Sequence, residues 1–172
     1  RRLGSPVAER IAGVDFLGDL ADMARAHNWP IFLLGAGPGV AEAAATALQR
    51  DHPGLRIGGA LEGSARADQA QAICALVRES GAQVLAVAFG VPKQELWLSS
   101  NLSQSGARVG IGVGGSLDYL AGRVPRAPRV LRRLGLEWTF RLVRQPWRLP
   151  RMVRGAPFFW ETLWETGKRS RS

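Results

Sequence analysis

The sequence predicts an α/β fold: a parallel sheet flanked by helices, extended by a basic helical C-terminal appendage. Three observations predict it. Short runs such as Ile31-Phe32-Leu33-Leu34 and residues 83–89 are apolar throughout, as strands covered on both faces must be. They alternate with stretches of helical length, and glycine or proline marks the joints, the grammar of βαβ units. Beyond Gly122 that grammar stops, and arginine, tryptophan and proline take over.

The elements follow in order. Residues 15–28 place Phe16, Leu20, Met23 and Ala24 at helical spacing with Asp19 and Asp22 opposite, an amphipathic helix. Ile31-Phe32-Leu33-Leu34 is a strand that ends in Gly35-Ala36-Gly37-Pro38-Gly39. An alanine-rich helix to Gln49 follows, with Pro38 suited to its first turn. The pattern repeats as a strand over 55–59 and a helix over 68–79 that stops near Gly81. It repeats again as a strand over 83–89, a helix over 92–103 opened by Pro92, and a strand over 108–113 before Gly114-Gly115. Such an order describes a Rossmann-like sheet over residues 1–122. Residues 123–172 form the appendage, in which Pro125, Pro128, Pro146, Pro150 and Pro157 punctuate short helical stretches.

Composition narrows the function classes. A chain of 172 residues, 46% hydrophobic and 22% charged, is an ordinary globular domain, neither disordered nor collagenous nor a coiled coil. The single cysteine, Cys74, excludes a disulfide framework and a cysteine-rich zinc site, and it points to a reducing, cytoplasmic setting. No apolar run approaches the roughly 18 residues of a membrane span. The net charge of +9 is unevenly placed: residues 1–122 hold 10 Lys/Arg and 11 Asp/Glu, net −1, whereas residues 123–172 hold 13 and 3, net +10. The second segment also carries Trp138, Trp147, Trp160 and Trp164, a cationic and aromatic mixture suited to an anionic surface. Arg126, Arg129 and Arg133, and again Arg141, Arg144, Arg148 and Arg151, recur at spacings of three and four, although Pro146 and Pro150 interrupt the second stripe. Because the chain begins at Arg1 and not at methionine, it reads as a domain or fragment of a longer protein.

Ligands of open parallel sheets bind at the carboxyl ends of the strands, so the residues after each strand are the first candidates. The turn at 35–39 brings glycines to a helix start, but it is no dinucleotide fingerprint: Val40 takes the third glycine position and no acid follows the next strand. A tight turn explains the same glycines. Phe89-Gly90-Val91-Pro92-Lys93-Gln94-Glu95-Leu96-Trp97 sets Lys93, Gln94 and Glu95 on a helix first turn, where anions are favoured; a solvated helix face accounts equally for them. In Gly112-Val113-Gly114-Gly115-Ser116-Leu117-Asp118-Tyr119-Leu120 the glycines invite backbone approach. Asp118 there either accepts from a ribose or base, or caps a turn. His27 and His52 lack partners for a metal site, Ser64 lacks a nucleophile elbow, and Cys74 falls mid-helix as a buried thiol. No Asp-x-Asp pair is present to hold a cation against a diphosphate.

Taken together, residues 89–97, residues 112–122, and Arg126-Ala127-Pro128 with Leu134-Gly135-Leu136-Glu137-Trp138 and Phe140-Arg141-Leu142 resemble the WecG/TagA/CpsF family of bacterial glycosyltransferases. Residues 9–15 and 32–35 extend the resemblance, which runs from about residue 8 to about residue 151. It implies inverting, metal-independent, cofactor-free transfer of a sugar from a UDP-linked donor to a polyprenyl-diphosphate-linked sugar. The sugar is N-acetylmannosamine or another hexose, and the products feed surface polysaccharides at the cytoplasmic face of the cell membrane. By resemblance Arg10, Gln94 and Asp118 line the donor pocket, beside Lys93 and the approach glycines Gly114 and Gly115. Arg141, Arg148 and Arg151 match a membrane-docking appendage that lends cations to the diphosphates. The family's threonine and its aspartate proposed as base fall upstream of the segment matching Arg10, so the catalytic base is expected before Arg1.

Two other classes compete. A non-catalytic module retaining nucleotide-sugar or membrane affinity fits a chain without its base. A nucleic-acid binder would use the basic tail and lose affinity steeply with salt, though nucleic acid is not the expected partner. The expected partners are the UDP-sugar, the lipid-linked acceptor and an anionic membrane. Self-association is a further expectation, through apolar strips on an incomplete sheet.

Overall fold

A strand with both faces covered buries every side chain of a continuous apolar run. In the computed structural model, which describes residues 13–126 together with Pro128, Phe140 and Val143, that strand is β1 (Ile31–Gly35), buried at every position. It pairs in parallel with β2 (Ile57–Leu61) on one side and β3 (Val84–Ala88) on the other. Beyond β3 lies β4 (Val109–Gly112), also parallel, giving the order β2-β1-β3-β4. The central pair, β1 and β3, is wholly buried, whereas β2 and β4 are partly exposed, as the flanking positions in that order require.

The pleat sends alternate side chains to opposite faces, and each face has its own core. Ile31, Leu33, Val84 and Ala86 pack with α1 (Gly13–Ala26), α2 (Val40–Asp51) and the short α5 (Ser116–Leu120) through Leu17, Ala21, Ala44, Leu48 and Leu117. Phe32, Leu34, Leu85 and Val87 pack with α3 (Ala67–Glu79) and α4 (Lys93–Ser105) through Ile73, Val77 and Trp97. The result is an α/β fold, a four-stranded parallel sheet flanked by five helices, and it forms one compact unit, Ile11–Pro125. Arg126, Pro128, Phe140 and Val143 belong to a second unit, in which Phe140 and Val143 are helical. Of the expected appendage over 123–172, Arg123, Val124 and Pro125 belong to the unit Ile11–Pro125, and apart from the residues just named the rest lies outside the described residues. Among the described residues no helix is long and apolar enough to cross a membrane.

Several boundaries differ from expectation for physical reasons. In α1 the buried stripe is Leu17, Ala21 and Ala24, one i, i+4, i+7 row, and Met23 is left 52% exposed. The strand expected over 55–59 runs instead from Ile57 to Leu61. Leu55 is buried in the preceding loop, where its N–H donates to the His52 carbonyl, so it anchors the loop and leaves pairing to later residues. Pro38 stands ahead of α2, which starts after Gly39, and Pro92 occupies the position before α4 rather than within it. The segment after Gly115, given no element in the sequence reading, is the helix α5, with Asp118 inside it.

Leu33 is fully buried where strand and helix layers meet. Leu33→Ala is expected to lower the unfolding free energy by about 2–5 kcal/mol, while Met23→Ala changes it by less than about 0.5 kcal/mol, as chemical denaturation of the two variants will show.

Candidate functional site

In the order β2-β1-β3-β4 the chain leaves β1 toward one face, into α2, and leaves β3 toward the other, into α4. The two loops diverge at the carboxyl edge, the place where open α/β sheets bind their ligands. The turns there are conformationally special. Ala36, just past β1, has φ of +67°, a left-handed conformation that costs a residue with a Cβ roughly 1–2 kcal/mol. The Ala36 N–H is held by the carbonyl of Ala88 at the end of β3, 3.2 Å away. Gly90 after β3 and Gly114 after β4 also adopt positive φ, +79° and +52°, values that glycine takes without that penalty.

Lys93 is the exposed first residue of α4. The start of a helix carries the positive end of its dipole, so an anion at this point meets that dipole and the ammonium group, although the Gln94 N–H is already bonded to the Gly90 carbonyl. Gln94, its neighbour, is only 3% exposed. The Gln94 Oε1 accepts from the N–H groups of Gly90, at 3.1 Å, and Gly114, at 3.0 Å, and its Nε2 donates to Glu95 Oε1 at 2.9 Å. One side chain thus joins the turn after β3 to the turn after β4. Gly112 makes room for it, since a Cβ at 112 would stand 2.8 Å from the Gln94 Cδ. Asp118 is half-buried in α5, above the buried Ser116 and Leu117. Its backbone carbonyl accepts from the N–H groups of Arg123 and Val124, at 3.0 and 3.2 Å, which folds the exit segment back onto α5.

Of the expected site residues, then, Gln94 and Gly114 are in direct contact, Lys93 and Gly115 are their chain neighbours, and Asp118 follows within the next helical turn. Arg10, Arg141, Arg148 and Arg151 lie outside the described residues.

A feature that the sequence reading missed is a cleft of about 560 Å³ between the starting ends of α3 and α4, lined among others by Ser64, Arg66, Lys93, Trp97 and Asn101. That volume is ordinary for a small-molecule site. Ser64 and Arg66 follow β2 as Lys93 follows β3, so attention to every strand end would have found them. The Ser64 hydroxyl donates to Gln69 Oε1 at 2.9 Å and accepts from the Arg66 N–H. The Arg66 guanidinium grips both oxygens of Asp68, at 3.0 and 2.8 Å, in an exposed pair of small energetic weight. Trp97 is buried in the cleft wall, edge-on to Phe89 with ring centroids 5.8 Å apart. Its indole N–H has no acceptor among the described residues, a cost set against extensive ring packing.

Other chemistry-bearing side chains have local roles. The Cys74 thiol is buried, its pKa pushed up by desolvation, and it points its weak donor at the Asn101 carbonyl, so it is no nucleophile. His52 Nδ1 meets Asp22 Oδ1 at 2.8 Å, tying the end of α2 to α1, and His27 stacks on Trp29. Among the described residues no group of three or more His, Cys, Asp or Glu is placed to hold a metal ion.

A family model described as Glycosyl transferase WecG/TagA/CpsF family matches the chain over residues 1–172. The chain belongs to this family. Residues 89–97 and 112–122, which carry the sequence resemblance, are the two strand-to-helix connections that Gln94 joins in this WecG/TagA/CpsF member. The family is one of glycosyltransferases, which places the chain in cell-surface polysaccharide synthesis.

Proposed function

We propose that this WecG/TagA/CpsF member transfers a hexose, N-acetylmannosamine or another, from a UDP-linked donor to a polyprenyl-diphosphate-linked sugar, with inversion and without a metal ion. The observation that carries the reading is the meeting of the two glycine turns over Gln94 at the carboxyl edge, with Lys93 next to Gln94 in the chain at the start of α4. The UDP diphosphate sits against Lys93, Gly114 and Gly115, where the small residues allow close backbone approach, and Asp118 accepts from a ribose hydroxyl or the base. Gln94 belongs to the same donor site, and Arg10, which lies outside the described residues, is assigned to it by resemblance.

In the transfer, the acceptor hydroxyl oxygen attacks the anomeric carbon from the face opposite the diphosphate. The new carbon–oxygen bond forms as the bond to the diphosphate oxygen breaks, and the electron pair leaves with UDP. The hydroxyl proton passes to a general base. Charge grows on the departing β-phosphate, so fixed cations lower the barrier more than they stabilise the bound donor. Lys93 is one such cation, and Arg141, Arg148 and Arg151 supply others from the appendage. The net +10 of residues 123–172, mixed with four tryptophans, supports docking on an anionic membrane surface, the cytoplasmic face in a bacterium.

Two measurements test these statements. Calorimetric titration of UDP with EDTA present is expected to show binding that Asp118→Ala weakens by about tenfold or more, near 1.4 kcal/mol. No binding to the folded parent, or equal binding to the variant, contradicts the donor site. The chain is also expected to sediment with anionic vesicles, and replacing Arg141, Arg148 and Arg151 together by Gln to cut partitioning by about a hundredfold, at about 1 kcal/mol per charge. Unchanged partitioning removes those arginines from the membrane contact.

A further inference from the structure

We propose that Gln94 is a positioning residue of the donor site: its buried carboxamide oxygen fixes the two glycine turns that receive the diphosphate, and the side chain itself does not touch the donor. The inference rests on the donor-site reading above and goes beyond it by assigning how Gln94 acts.

A glutamine on the first turn of a helix ordinarily extends into water, as its exposed neighbours Lys93 and Glu95 do. Gln94 instead turns inward and is almost wholly buried. Burying a carboxamide is unfavourable unless its donors and acceptor are matched. Here they are. Gly90 and Gly114 both present N–H donors, so only the oxygen can face them, and the amide orientation is fixed by chemistry as well as by distance. The amide nitrogen is then directed to the one adjacent carboxylate, Glu95.

The connection is reciprocal at one end. The backbone N–H of Gln94 donates to the Gly90 carbonyl at 3.0 Å while Gly90 donates to the Gln94 side chain, so the turn after β3 is closed by two bonds in opposite senses. At the other end the side chain spans twenty positions of sequence to Gly114. Both bonded glycines are in left-handed conformations, which are the places where these turns have most freedom to change. Gly112 completes the arrangement: with any side chain there, the Gln94 Cγ and Cδ would have no room, a Cβ lying 3.0 and 2.8 Å from them.

Two consequences follow for ligand binding. The amides of Gly90 and Gly114 are already committed to Gln94, so they shape the turns and are not the groups that bind phosphate. Withdrawal of the Gln94 oxygen to contact a ligand would orphan both amides at once, which opposes a direct role for the side chain.

The test compares three forms of the 172-residue chain: the parent, Gln94→Leu, and an exchange variant carrying Gln94→Glu with Glu95→Gln. In the exchange variant a carboxylate at 94 accepts from both glycine amides and the amide at 95 donates back to it, so the bonding pattern is kept while the NH₂ group at 94 is lost. Hydrogen exchange at Gly90 and Gly114 is measured without ligand, and UDP affinity by calorimetry. Gln94→Leu is expected to speed exchange at both glycines and to weaken UDP binding by about tenfold or more. The exchange variant is expected to restore protection and to return UDP affinity to within about threefold of the parent. If the exchange variant protects the glycines yet binds UDP as poorly as Gln94→Leu, the NH₂ group touches the donor and the proposal is overturned. Equal exchange at the glycines in the parent and Gln94→Leu overturns it as well, even if Gln94→Leu proves less stable. A parent that does not bind UDP contradicts the donor-site reading instead, while the exchange rates still decide whether Gln94 holds the turns.

Discussion

β1 pairs with a strand on each side, and almost everything else in the structure depends on that. With β2 on one flank and β3 on the other, all five of its positions are inaccessible to water, so alternate side chains must serve two different cores. The crossover that leads out of β1 and the one that leads out of β3 are then forced to opposite faces. Their divergence at the carboxyl edge is a product of this topology, whatever residues happen to lie there. At the turns after β3 and β4 the chain sets a lysine at a helix start, a buried glutamine, glycines in left-handed turns and an aspartate one short helix away.

The energetic division of labour is clear. Stability comes from the apolar layers on either side of the sheet, where Leu33, Leu34, Leu85 and Val87 are fully buried. The polar groups at the carboxyl edge set the geometry of the turns there. Gln94 stands between these roles, buried like a core residue yet bonded only to backbone turns and to Glu95. An amide in that position makes the turns after β3 and β4 one rigid lip, a suitable support for a diphosphate whose charge must be met by pre-placed groups rather than by water.

Much of this was legible in the sequence. Runs apolar on both faces announced β1 and β3, and glycine and proline located the connections, because both signals are local. What the sequence concealed was set by contacts between distant segments. Met23 fits the helical period as well as Leu17 does, and only the packing of α1 against α5 and into the cluster on that face of the sheet decides which is covered. Leu55 reads as strand but serves as a loop anchor. Gln94 reads as a solvated residue between two charges, and its burial depends on Gly112 and Gly114, about twenty positions away. The cleft beside Lys93 needed Ser64 and Arg66 from another crossover. Arg10, Arg141, Arg148 and Arg151, lying outside the described residues, rest on the family resemblance alone.

The central claim is that a nucleoside diphosphate binds where the turns after β3 and β4 meet. Its most direct test is a map of backbone amide chemical shifts during titration with UDP. The account predicts the largest changes at Lys93 and Gly115, with smaller ones at Gly90 and Gly114, whose amides stay bonded to Gln94, and along the turn at 35–39. Changes concentrated at 35–39, or confined to residues remote from the carboxyl edge, would contradict it.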